Sequence, residues 1–164
     1  MVEITTWHLE MTSPEQSVPR NESRGLLVAE CEVDQWQFNR FLYQFVGAAW
    51  EWQDKLSWPE QEWRSYVERP ELRTWLASCE GSPAGYFELE KQGSDVEIKY
   101  FGLAPAFIGR GFGSYLLSQA IHNAWRWDSP ERVWVHTCSL DHPSALTNYQ
   151  ARGFSLFKTD VEAI

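Results

Sequence analysis

The chain has only three cysteines in 164 residues, Cys31, Cys79 and Cys138, widely spaced and without a CxxC pair or a histidine-rich neighbour. That excludes a disulfide framework and a cysteine–histidine zinc site, leaves no metal centre to propose, and makes three buried reduced thiols the expected state. No apolar run approaches the roughly 18 residues that a membrane span requires. The opening stretch MVEITTWHLEM lacks a basic segment followed by an apolar one, so no signal peptide is expected and the cytoplasm is the expected compartment. Basic residues are scarce: Lys plus Arg is 14 against 23 Asp plus Glu, a net charge of −9 that disfavours nucleic acid as a partner. Internal repeats, low-complexity tracts and linkers are also missing, and the length suits one domain over residues 1–164.

Aromatic side chains are what the chain has in excess. Of its ten tryptophans, seven lie before residue 80. An acidic surface with clustered aromatics suits a cationic or amine-bearing small ligand, through long-range attraction and cation–π contact. The same residues serve equally well as helix-packing core, or as a surface for a homodimer or another partner.

Periodicity predicts the elements. Residues 1–10 and GLLVAECEV (25–33) read as two strands, paired with each other across the polar segment SPEQSVPRNES. Trp36, Phe38, Phe41, Leu42, Phe45 and Val46 recur at helical spacing and predict a helix over 35–46, with Asp34 and Gln37 as its capping pair. Ser57 and Glu60, with Pro59 between them, predict a second helix over 58–69. LRTWLASCE, AGYFELEKQ and VEIKYFGL, separated by glycine turns, predict a three-stranded antiparallel meander. In its third strand alternation puts Val96, Ile98 and Tyr100 on one face and Glu97, Lys99 and Phe101 on the other. A helix over 111–127, the strand RVWVHTCSL in parallel crossover, a short helix over 143–152 capped by Gly153, and a last strand FSLFKTDVEA complete the order.

The stretch LAPAFIGRGFGSYLL places glycines at 109, 111 and 113 directly before a helix. Backbone amides there would cradle an anion at the helix's positive end. A dinucleotide fingerprint from Gly109 would need glycine at 114, where Ser114 stands, and no Lys-Ser/Thr pair follows to make a P-loop.

Two motifs give the chain a likeness. Leu103-Ala104-Pro105, then Gly109-Arg110-Gly111-Phe112-Gly113, and downstream Ala145, Tyr149, Gly153 and Phe154, resemble the cofactor and C-terminal motifs of the GCN5-related N-acetyltransferases. Ile108 departs from the family's Gln or Arg, and His142 from its asparagine. The resemblance implies an α+β, three-layer fold: a mixed, mostly antiparallel sheet of six to seven strands flanked by about four helices. It implies acetyl-CoA as acyl donor and a primary amine as acceptor, from a small amine or amino acid to a peptide N-terminus, attacked within a ternary complex. On that basis Phe101, Gly102 and Leu103 hold the pantetheine arm. Gly109 to Ser114 hold the pyrophosphate, with Arg110 as an ionic supplement, and His142 assists near the fourth helix. Tyr149 is the expected general acid. Glu97 is the candidate base, His136 the alternative acting through water, and Trp50, Trp52, Asp54 and Trp58 the expected acceptor frame. A non-catalytic acyl-CoA-binding or protein-interaction module on the same fold is the competing reading.

Overall fold

A computed structural model describes all 164 residues. Its strands and helices follow one another in the predicted order. They are β1 (Glu3–Met11), β2 (Leu27–Glu30), α1 (Trp36–Gly47), α2 (Glu60–Val67), β3 (Leu72–Cys79), β4 (Ser82–Gln92), β5 (Asp95–Leu103), α3 (Phe112–Trp125), β6 (Arg132–Cys138), α4 (Ala145–Ala151) and β7 (Ser155–Ala163). All seven strands join one sheet in the order β2-β3-β4-β5-β6-β1-β7. Only β5 and β6 run parallel, joined through α3 as the crossover rule requires. The β3-β4-β5 meander forms as expected.

The expected pairing of the first two strands does not form. β1 lies between β6 and β7, while β2 is the opposite edge of the sheet, paired with β3. Two strands adjacent in sequence are thus separated by four others, because β1 packs its Leu9 and Met11 into the core shared with β6.

One face of the sheet carries α3 and α4. Leu116, Leu117, Ala120, Ile121 and Ala124 of α3 are buried against Val96, Ile98, Val133 and Val135, the largest apolar cluster. The other face carries α1 and α2, whose Tyr43, Trp63 and Tyr66 pack as an aromatic cluster with Trp36. On α1 the buried residues are Trp36, Asn39, Leu42, Tyr43, Val46 and Gly47, whereas Phe41 and Phe45, expected on the inner face, stack on each other in solvent. Neither expected cap forms. Gln35 and Pro59 occupy the capping positions of α1 and α2 without a side-chain hydrogen bond, so Asp34 and Ser57 play no such part. At the end of α4 the Gly153 and Phe154 amides donate to the carbonyls of Gln150 and Tyr149, the paired bonds of a glycine-ended helix. Of the three thiols, all free, only Cys79 is buried; Cys31 and Cys138 are half-buried.

Two irregularities make room for a site. Glu88 faces Tyr100 while Leu89 faces Ile98, so Lys99 is an extra residue, a bulge in β5. The predicted alternation therefore inverts at Lys99. Val96 and Ile98 face α3, but so does Phe101, and Tyr100 moves to the aromatic cluster under α1 and α2. At the same place β5 and β6 separate, their last pair being Ile98 with Val135.

Candidate active site

Where the two strands part, a cavity of about 980 Å³ opens through the sheet. A second hollow of about 490 Å³ beside β2 and the start of β3 holds no glycine loop and includes the paired Arg73 and Glu30. The larger cavity gathers most of the residues singled out from the sequence. Phe101, Gly102 and Leu103 line it from the free edge of β5, and Gly109, Gly111, Phe112, Gly113 and Ser114 line it from the loop and first turn of α3. Gly102 has no room for a side chain, since a Cβ there would come 2.6 Å from Val46 and meet the Trp52 ring. Gly111 is the N-cap of α3 and makes no side-chain cap, so the first-turn amides are free to meet an anion.

His142 lines the same space. Its Nδ1 accepts the Ser144 N–H at 3.0 Å, ordering the turn into α4, and its ring meets Trp50 edge-on at 5.1 Å. Asn148, one residue before Tyr149, went unnoticed in the sequence. Its amide donates to the Gly113 carbonyl at 3.3 Å and ties α4 to the first turn of α3. Asp141 was also missed. It accepts from Thr137 Oγ1 (2.6 Å), the Cys138 N–H (3.0 Å) and Trp52 Nε1 (3.2 Å), so it fixes one aromatic wall to the β6–α4 loop.

Tyr149 lines the cavity although only 6% of it is exposed, with its ring 6.1 Å from Phe101 and 5.9 Å from Phe154. Burial first, and the Asp141 charge second, push its phenol well above the usual value, so it stays protonated. A protonated hydroxyl on the cavity wall has a proton to donate.

Glu97, the candidate base, stands behind the cavity wall. Its carboxylate is 2% exposed and the residue is absent from the cavity wall. Oε1 accepts from Gln92 Nε2 at 2.8 Å and lies 3.7 Å from Lys99 Nζ. Oε2 lies 3.2 Å from His136 Nδ1, out of line for a regular hydrogen bond, and has no other partner. His136 does line the cavity, with 45% of its side chain exposed. It stands beside His8, at 5.7 Å between ring centroids, and His8 Nε2 is 3.0 Å from Asp160 Oδ2. The β1–β6 register that sets these histidines opposite each other depends on long-range pairing, which no local pattern signals.

Trp50, Trp52 and Asp54 line the opposite wall. Trp58 does not. It packs edge-on against Trp63 at 5.3 Å and Tyr66 at 5.6 Å, one side of a box around the buried Lys55 ammonium. Lys55 donates to the Tyr100 hydroxyl at 2.8 Å, and desolvation pushes its pKa down. Arg110, the expected ionic supplement, also stands off the wall. Its guanidinium carbon is 5.3 Å and 5.2 Å from the rings of Phe107 and Phe112. No group of three or more His, Cys, Asp or Glu is placed to share a metal ion, and no helix is long and apolar enough to cross a membrane.

Comparison with known proteins places this geometry. No curated protein matches the chain in sequence. Among solved structures, a GCN5-related N-acetyltransferase from Kribbella flavida superposes with a TM-score of 0.68 at 15% identity, over 96% of this chain and 56% of that one. Another from Sphaerobacter thermophilus gives a TM-score of 0.72 at 14% identity, over 95% of this chain and 49% of that one. The chain thus spans about half the length of either. An IAA acetyltransferase from Bacillus cereus, nearer in length, gives 0.59 at 22% identity, over 81% and 79%. The described acetyltransferase (GNAT) family matches residues 30–154. With that match and a seven-stranded mixed sheet flanked by four helices, the chain belongs to the GNAT acetyltransferase family, whose members use acetyl-CoA as cosubstrate.

Proposed function

We propose that residues 1–164 act as one N-acetyltransferase domain that moves an acetyl group from acetyl-CoA to a primary amine, by direct attack in a ternary complex. The observation that carries this reading is the single cavity through the sheet, which joins the uncapped N-terminus of α3 and Tyr149 to His136 and the aromatic wall of Trp50 and Trp52. The free amides of the first turn of α3 suit a pyrophosphate, and the edge of β5 beyond Ile98, with no strand beside it, suits the amide groups of a pantetheine arm. Bound there, acetyl-CoA would supply a thioester carbonyl for attack.

The chain supplies proton management. An amine is protonated near neutral pH and must lose a proton before its nitrogen attacks. His136 takes that proton, and Glu97 behind it stabilises the imidazolium that results. This reading moves the base from Glu97, which the acceptor cannot reach, to the residue in front of it. Tyr149 keeps its O–H and delivers that proton to the departing sulfur. No enzyme nucleophile is required.

The acceptor wall favours an amine with aromatic or cationic character, since Trp50 and Trp52 stand with the unpaired carboxylates of Glu51 and Asp54. A screen of polyamines, amino acids, aminoglycosides, arylalkyl amines and peptides with acetyl-CoA, followed by free-thiol release, tests the reading. Turnover above background for at least one class is expected. None for any class would favour the non-catalytic module.

A further inference from the structure

The segment between β1 and β2 is a strap across the helices beside the glycine loop. Its Val18 N–H donates to the Arg152 carbonyl at 2.9 Å, at the end of α4. Its Arg20 N–H donates to Ser118 Oγ at 2.8 Å, midway along α3. Leu26, 2% exposed, anchors the far end in the main core. Between these ties Arg24 takes a positive φ of 54°, uncommon for a residue with a side chain, and lays that side chain on Gly111. A Cβ added to Gly111 would sit 3.0 Å from Arg24 Nε and 3.1 Å from Cζ. Gly111 itself has φ 86°, so its backbone favours glycine, and a side chain there would push the Arg24 guanidinium aside.

The guanidinium therefore rests against the N-cap of the helix whose first-turn amides face the cavity, just outside the wall itself. It is exposed and forms no ion pair with any carboxylate of this acidic protein. Within the loop nothing else supplies charge to that spot, since position 108 is isoleucine and Arg110 lies along the Phe107 and Phe112 rings. We propose that Arg24, delivered by the strap from outside the glycine motif, is the ionic contact for the pyrophosphate of the acyl-CoA donor. This rests on the acyl-CoA reading above. A planar guanidinium with several N–H donors suits bidentate contact with phosphate oxygens, adding charge where the helix offers only dipole.

Titration calorimetry with CoA, dephospho-CoA and pantetheine tests it. For Arg24→Ala, affinity for CoA and for dephospho-CoA should fall about tenfold each, the loss of one charge-assisted contact, while pantetheine binding stays the same. The deficit should shrink as salt is raised, Arg24→Lys should recover part of it, and Arg110→Ala should cost less than Arg24→Ala. Wild-type binding of CoA with an unaffected Arg24→Ala variant overturns the Arg24 assignment alone. A deficit seen with CoA but not with dephospho-CoA moves the contact to the 3′-phosphate and overturns the pyrophosphate assignment. Wild-type protein that binds none of the three overturns the acyl-CoA reading and this proposal with it.

Discussion

Replacing Tyr149 by phenylalanine removes one oxygen from the proposed chemistry and keeps the ring that packs between Phe101 and Phe154. Only burial and the Asp141 charge act on that phenol, and no hydrogen bond holds it, so the protein loses no partner when it goes. Stability should change by less than about 1 kcal/mol, which for a chain of this size moves the melting temperature by at most about 4 °C. Alanine would be the wrong variant, because removing a buried ring costs roughly 3–5 kcal/mol. Loss of a general acid lowers kcat by about 10²-fold or more, equivalent to about 2.7 kcal/mol of transition-state stabilisation. CoA affinity should be unchanged within about twofold, since the contacts proposed for it lie on β5 and α3. Steady-state thiol release with the best amine, beside calorimetric titration of CoA, separates the two effects. Because burial keeps the phenol protonated beyond its ordinary value of about 10, the deficit should be constant from about pH 7 to 9.5. A kcat within about threefold of wild type refutes the acid role. So does a kcat that falls only in step with CoA affinity, because the hydroxyl would then be positioning the donor.

His136→Gln should lower kcat by about 10²-fold or more, and Glu97→Gln, which removes the charge behind the imidazole, by about tenfold. Both should leave the KM for acetyl-CoA in place; wild-type turnover in Glu97→Gln would break the link between the two residues. Trp50→Leu should raise the KM for the amine and Trp58→Leu should instead lower the melting temperature, a split read from kinetics and thermal denaturation. Glu88 accepts from the Tyr66 hydroxyl at 2.6 Å and from Asn39 Nδ2 at 2.9 Å, so Glu88→Ala should cost about 1–3 kcal/mol in urea unfolding by orphaning the Tyr66 hydroxyl and leaving Asn39 Nδ2 with Thr74 Oγ1 alone. The buried phenols of Tyr66, Tyr86, Tyr100 and Tyr149 are all pushed up, so the folded protein holds these protons more tightly than the unfolded chain. Their contribution is complete below the unfolded value of about 10 and is lost as pH rises above it. Melting temperature should fall steeply between about pH 10 and 11, and a flat profile there would refute it.

The elements legible in the sequence are those whose signals are local. The apolar spacing of α3, the glycine turns of the meander and the glycine that ends α4 each depend on residues a few positions apart, and each forms where the pattern puts it. The pairing of β1 is fixed by a partner more than a hundred residues away, and nothing in its own alternation distinguishes β6 and β7 from β2. Caps failed for a related reason. Asp34 and Ser57 have the right residue types, but α1 and α2 begin one and two residues later than expected, where Gln35 and Pro59 fall at the capping positions and tertiary packing takes over.

The site divides along the same line, and the Lys99 bulge shows why. One inserted residue reverses which side chains of β5 face which layer. It carries Phe101 to the Tyr149 side and Tyr100 to the aromatic box around Lys55, at the point where β5 leaves β6. A strict period of two therefore placed Glu97 and Phe101 on a common face that does not exist, and with it a carboxylate in front of the amine. Residues of the glycine loop and of the Tyr149 helix could be found because each contributes through a segment continuous in sequence. Glu97, His136, His8 and Arg24 acquire their places only through strand register, a bulge and a strap that crosses two helices. The half of the cavity proposed for the acceptor is built almost wholly from such non-local contacts, so the family motif marks the proposed donor side while the acceptor proposed here must be sought from the walls.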